Sequence, residues 1–176
     1  MSIQLHISSA KVLIEQIAPV KNNEKMVSIK KPEGSTGLWT STWREETQDS
    51  AWVEWCAGEN FGTPYTDHWY LLTSSPDSNL YVIDSVADFS RLLKLYHYEC
   101  PLVQKMRAAG YAPATIDFEA LSKDYDGLHL TERGNARTHL AYPHDLNSWD
   151  SESTLWFRWC FTSVKQIAPV IPVKEM

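Results

Sequence analysis

Three sets of residues in this 176-residue chain have types that could do chemistry. His97-x-x-Cys100 offers two metal ligands within one turn, but a structural zinc site brings a second close pair, and Cys56 and Cys160 stand alone. That segment therefore reads as a loop between helices, with no metal expected. Each cysteine falls in an apolar periodic segment, where a thiol behaves as a small hydrophobe and not as a nucleophile. Gly-x-Ser-x-Gly, a phosphate-cradling glycine loop and His-Glu-x-x-His are all absent, which removes the common hydrolase and kinase signatures. The third set is scattered: His6, then Thr40-Ser41-Thr42 after Trp39, then Asp150 with Glu152. Taken one at a time these are ordinary residues: a satisfied strand histidine, good strand formers, and a polar turn with a cap.

The elements that must position them follow from periodicity. Gln4-Leu5-His6-Ile7 alternates as a short strand, and Ser8 or Ser9 is placed to start a helix through Val12, Leu13 and Ile17 that Pro19 closes. Residues 21–32 are polar and basic and read as a solvated loop, after which Gly34 and Gly37 turn the chain into a Leu38–Thr42 strand. Asp49 or Ser50 caps a helix whose Trp52, Trp55 and Cys56 share one face, taken as core. Strands over 68–73 and Leu80–Ile83 flank Ser-Ser-Pro-Asp-Ser-Asn, a hairpin or tight βα-type connection. Ser85 to Asp88 opens a helix through Phe89, Leu92, Leu93 and Tyr96, and residues 116–125 form another. A strand over 128–130 follows, then a long loop over 132–147, then one strand over 153–164 with both faces covered. Gln-Ile-Ala-Pro-Val at 16–20 and 166–170 is too short to be a structural repeat. The order lacks the regular alternation and glycine-rich turn of a doubly wound nucleotide fold, so a mixed α+β class is expected.

Composition bounds the function. With 43% apolar, 22% charged and 12% aromatic residues, the chain can bury the core of one domain, expected to span 1–176. The formal charge of −6 lacks the general attraction that drives non-specific nucleic-acid binding. No stretch approaches the roughly 18 apolar residues of a membrane span, and the opening residues lack a charged segment followed by an apolar one. A cytoplasmic protein with reduced thiols and no membrane partner is expected. Eight tryptophans exceed what such a core needs, so some should line a cleft.

The segments Lys31-Pro32, Gly37-Leu38-Trp39-Thr40-Ser41, Trp52-x-x-Trp55-Cys56, Ile116-Asp117-Phe118, Tyr125-Asp126-Gly127 and Ser148-Trp149-Asp150-Ser151-Glu152-Ser153 cover nearly the whole chain. Together they resemble a family of small proteins common in bacteriophages and prophages. Members open with a strand carrying His-Tyr-Ser; Leu5-His6-Ile7-Ser8 keeps the His and Ser and lacks the Tyr. That family in turn resembles the ADP-ribosyltransferase fold, in which a first-strand Arg or His, a second-strand Ser-Thr or Tyr motif and a later acidic residue surround NAD.

The resemblance implies a split β-sandwich with flanking helices and an NAD-consuming activity that moves ADP-ribose to a protein or nucleic acid in a host bacterial cytoplasm. Asp150 or Glu152 would stabilise the cation-like sugar formed as the nicotinamide–ribose bond breaks. The family's recurring position is Asp150, whereas the usual acid is Glu; strand alternation gives Asp150 and Glu152 one face. His6 would donate to a ribose hydroxyl or to the nicotinamide amide, Trp39 or Tyr70 would stack on the ring, and backbone beside Thr40 and Ser41 would meet the remainder. The basic run over 21–31 is a contact for pyrophosphate or acceptor in this reading. A second class of function is a non-catalytic protein that binds a basic host partner or a nucleotide signal.

Overall fold

The computed structural model describes residues 2–11, 15–25, 30–34, 36–62, 67–111 and 113–170. Among them, seven strands build one mixed sheet in the order β4-β5-β6-β2-β1-β3-β7. The strands are β1 (Ile3–Ser8), β2 (Leu38–Thr42), β3 (His68–Ser74), β4 (Leu80–Ile83), β5 (Gly127–Leu130), β6 (Ser153–Trp156) and β7 (Phe161–Ile167). Only β4 and β5 run parallel; the other neighbours are antiparallel. Five helices accompany them: α1 (Ala51–Glu59), α2 (Val86–Leu95), α3 (Pro101–Ala108), α4 (Phe118–Asp124) and α5 (Glu132–Thr138). The fold is mixed α+β.

Short connections force this sheet to curl. In a flat sheet of this order β3 and β4 would lie about 24 Å apart at the usual strand spacing, yet only residues 75–79 join them. Likewise residues 157–160 carry the chain from β6 to β7 across three intervening strands. The ends are therefore drawn together: the Trp156 and Phe161 rings meet at 4.7 Å, and Ser75 N–H donates to the Cys160 carbonyl at 2.8 Å. Of the two connections expected between 68–73 and Leu80–Ile83, the hairpin does not form, because β3 pairs with β1 and β7 while β4 pairs with β5.

The two faces of the sheet differ in chemistry. Pairing places Gln4, His6, Thr40, Thr42, Tyr70, His129, Thr154 and Trp156 on one face, given the alternation of side chains along a strand. The opposite face carries Leu5, Ile7, Trp69, Leu128, Leu130 and Leu155. Over β4, β5 and β6 that face packs with Phe89 and Leu92 of α2, Phe118 and Leu121 of α4, and Trp149. Over β1 and β3 a second cluster joins Leu5, Trp43, Val53 and Trp69.

Local chemistry explains the helix starts. Ser85 Oγ accepts from Asp88 N–H at 3.2 Å and donates back to the Asp88 carboxylate at 2.7 Å, a reciprocal cap. Thr131 Oγ1 caps α5 by accepting from Gly134 N–H at 2.9 Å. Residues 132–147 are thus not the expected uniform loop. Arg-Gly-Asn-Ala-Arg carries no apolar period, and α5 seats by backbone approach: a Cβ on Gly134 would lie 2.0 Å from the Ile83 carbonyl oxygen. α3, with Pro101 at its first turn, is a further helix that periodicity did not reveal.

Other expectations need correction. The strand over 153–164 is two strands, broken at 157–160, and β7 is mostly exposed at the sheet edge instead of covered on both faces. The helix through Val12, Leu13 and Ile17 falls partly outside the described residues, and residues 15–20 are not helical. The described parts of 21–32 are docked, not merely solvated: Asn22 Oδ1 accepts from Phe118 N–H at 2.7 Å, and the Lys30 carbonyl accepts from Trp149 Nε1 at 2.9 Å.

Candidate functional site

β1 and β2 pair only at Gln4–Thr42 and Leu5–Ser41 and then part. A cleft of about 670 Å³ opens where they diverge, lined by His6 and Ile7 of β1, Trp39, Thr40 and Ser41 of β2, Trp52 of α1, and Trp149, Asp150, Ser151 and Ser153 before and in β6. Ala10, residues 16–18, Lys31 and Gly37 complete it. Because the strands separate, side chains from both faces of the sheet reach one space. Its volume is that of a small-molecule site, with aromatic walls and few polar groups.

His6 bridges the parted strands. Its Nδ1 lies 2.9 Å from the Trp39 carbonyl oxygen, which can only accept, so Nδ1 carries the proton. Burial lowers the imidazole pKa, and the hydrogen bond to Trp39 offsets part of that. The ring is therefore neutral at pH 7, with Nε2 holding a lone pair. With Nδ1 donating to Trp39, the nitrogen of His6 that remains, Nε2, is an acceptor and not the donor expected.

Three of the eight tryptophans line the cleft, as the excess suggested. Trp39 and fully buried Trp149 meet edge to face at 4.8 Å, a favourable aromatic geometry. Trp52 is half-buried and stacks on Trp55 at 5.1 Å, 18° from parallel. The expected core face of α1 is thus shifted: Val53 and Cys56 point inward, whereas Trp52 and Trp55 are only partly covered.

Asp150 and Glu152 part company, because the chain is not yet a strand at Asp150 and simple alternation does not apply. Asp150 lines the cleft and lies 3.3 Å from Lys31 Nζ, both side chains about a third exposed at 30% and 35%. Glu152 is only 5% exposed. Its carboxylate accepts from Ser41 Oγ at 2.7 Å, from Thr42 N–H at 3.0 Å and from Thr42 Oγ1 at 2.8 Å. Ser41 in turn accepts from Trp52 N–H at 3.3 Å. Glu152 is thus a positioning residue that fixes Ser41 in the wall.

On the far side of Glu152, His129 Nδ1 lies 3.6 Å from its carboxylate and 2.8 Å from Thr154 Oγ1. Burial lowers the His129 pKa against the pull of the Glu152 charge. Thr40 supports the wall from within: its Oγ1 donates to Gln4 Oε1 at 2.7 Å and accepts from Trp156 Nε1 at 2.9 Å. Tyr70 stands behind His6, ring centroids 6.4 Å apart, and its hydroxyl donates to the Ala10 carbonyl at 2.9 Å. It braces the cleft and does not line it.

Lys31 lies in the basic run that was expected to contact pyrophosphate or acceptor, and it does line the cleft, whereas Trp52 and Trp149 are cleft residues that the sequence did not assign to the site. Both tryptophans fall within motifs that carried the family resemblance, which was the available signal. Cys56 is pushed up to about 11 by burial and by the nearby Asp150 charge, and burial also raises Cys160. Both are therefore thiols at neutral pH. His97 is engaged at the surface, 2.9 Å from Glu99 and 2.6 Å from Arg107. Among the described residues no group of three or more His, Cys, Asp or Glu is placed to hold a metal ion, and no helix is long and apolar enough to cross a membrane.

Scans against family models, curated proteins and solved structures find no significant match to this chain.

Proposed function

We propose that the cleft between β1 and β2 binds NAD and that the protein is an ADP-ribosyltransferase-like enzyme, transferring ADP-ribose to a protein or nucleic acid of a bacterial host cytoplasm. The supporting observation is the convergence of His6, Trp39, Thr40, Ser41 and Asp150, from three distant parts of the sequence, on one 670 Å³ cleft. In this reading the curled sheet, parted between β1 and β2, is the split sandwich of that fold.

The residues suit the ligand's parts. Trp39 and Trp52 offer flat walls for the nicotinamide and adenine rings. His6 Nε2 accepts from a ribose hydroxyl, which orients the sugar without proton transfer. The bond from ribose C1′ to the nicotinamide nitrogen breaks with its electron pair leaving on neutral nicotinamide. Positive charge then develops on the sugar, where the Asp150 carboxylate stabilises it before the acceptor nucleophile attacks C1′. Lys31, which pairs with Asp150 at 3.3 Å, also offers its ammonium to the ligand's pyrophosphate. Glu152 acts through Ser41.

One observation favours a second reading, a non-catalytic nucleotide- or partner-binding protein. The acid at the usual glutamate position is an aspartate tied to Lys31, while the nearby glutamate is occupied by Ser41 and Thr42.

Incubation of the purified protein with NAD, with and without bacterial lysate, followed by mass spectrometry of free nicotinamide, tests the proposal. Release that His6→Ala and Asp150→Ala abolish is expected. No release, together with no thermal shift on adding NAD, overturns it; a thermal shift without release selects the binding reading.

A further inference from the structure

Beside the cleft lies a second feature, which shares only Trp52 with it. Trp52, Trp55 and Phe61 form a contiguous aromatic surface: Trp52 stacks on Trp55, and Phe61 meets Trp52 at 6.0 Å and Trp55 at 5.1 Å. The helix end makes this arrangement. Asn60, at φ 52°, ends α1 in the left-handed region, and Phe61 N–H then donates to the Cys56 carbonyl at 2.9 Å, folding the ring back over the helix. None of the three belongs to a buried core cluster, and Phe61 is 53% exposed. Trp52 and Trp55 are half-buried, and large rings left partly uncovered side by side suit a contact surface.

The segment that carries these rings is acidic. Residues 44–61 hold five carboxylates, Glu45, Glu46, Asp49, Glu54 and Glu59, against one cation, Arg44. That guanidinium is occupied by Glu54 at 2.8 Å and Glu132 at 2.6 Å. Glu45, Glu46, Glu54 and Glu59 are exposed. Rings carried on a segment with an excess of carboxylates attract a guanidinium or ammonium twice over, through the ring face and through the carboxylates.

We propose that this surface docks a basic, arginine-bearing peptide segment of a partner protein. The guanidinium groups lie over Trp55 and Phe61 and among the carboxylates, and their aliphatic stems cover the ring edges. Trp52 belongs both to this surface and to the cleft wall, so a docked segment lies against the cleft mouth. The proposal does not depend on NAD as the cleft ligand.

Fluorescence polarisation of a labelled Arg-Leu-Arg-Arg-Leu-Arg peptide titrated with the full chain is the test, with labelled Glu-Leu-Glu-Glu-Leu-Glu and a labelled single-stranded oligonucleotide titrated separately. Saturable binding of the basic peptide is expected, weakened at least about tenfold by Phe61→Ser and weakened, with a shallower salt dependence, by Glu45→Lys with Glu46→Lys. All three side chains are exposed, so the variants fold. Absence of saturable binding, equal binding of the acidic peptide, equal or tighter binding of the oligonucleotide, or indifference to Phe61→Ser overturns the proposal. None of these readouts uses NAD, so they stand apart from the test of the cleft.

Discussion

Two regions of the sheet are stabilised by different means. Over β4 and β5, capped helices α2 and α4 bury Phe89, Leu92, Phe118 and Leu121 against Ile83, Leu128 and Leu130. In the middle of the sheet, where β1 and β2 part, the wall is held by hydrogen bonds instead: His6 to Trp39, Ser41 and Thr42 to Glu152, Trp149 to Lys30. Apolar burial fixes a shape without exposing chemistry, whereas a polar framework leaves groups that a ligand can use. The difference separates a scaffold from a site within one sheet.

The comparison breaks most visibly at the scaffold end. Phe89→Ala is expected to cost about 3–5 kcal/mol in chemical denaturation, the usual loss for a buried phenylalanine, while leaving ligand contacts in place. Glu152→Ala at the site is expected to cost about 2–3 kcal/mol, because it strands buried donors on Ser41 and Thr42. A neutral result for Glu152→Ala would mean that the framework is not what holds the wall.

Legibility in the sequence follows the same division. The capped helix at Ser85 and the strand Leu38–Thr42 were readable because cap chemistry and alternation are local. α5 was not, since Gly134 seats it by backbone approach to Ile83, which no apolar period signals. The break between β6 and β7 was hidden by continuous aromatic and β-branched residues; only the pairing partners distinguish them. His6, Trp39, Ser41 and Asp150 were legible as candidates through their motifs. The burial of Glu152 and the entry of Trp149 were not, because each depends on segments more than 100 residues apart in the chain coming together.

Acidification sharpens the comparison through its histidines. His6 and His129 both have pKa values lowered by burial, so the folded chain binds fewer protons than the unfolded chain just below the ordinary value of about 6.5. Their contribution to stability is whole above about 6.5 and declines as pH falls through the folded values. A melting temperature that drops between pH 7 and 5, with a smaller drop in His6→Gln, is the expected outcome. The smallest effect is expected for Lys31→Met: its ion pair is part-exposed, so stability should change by no more than about 1 kcal/mol, while affinity for a phosphate-bearing ligand falls.

The most direct measurement is a calorimetric titration of NAD into the wild-type protein, Trp39→Ala and His6→Ala. The account predicts one saturable site, weakened at least about tenfold by either substitution. Failure of NAD to bind, or binding of equal strength in all three proteins, would contradict the claim that the parting of β1 and β2 creates the nucleotide site.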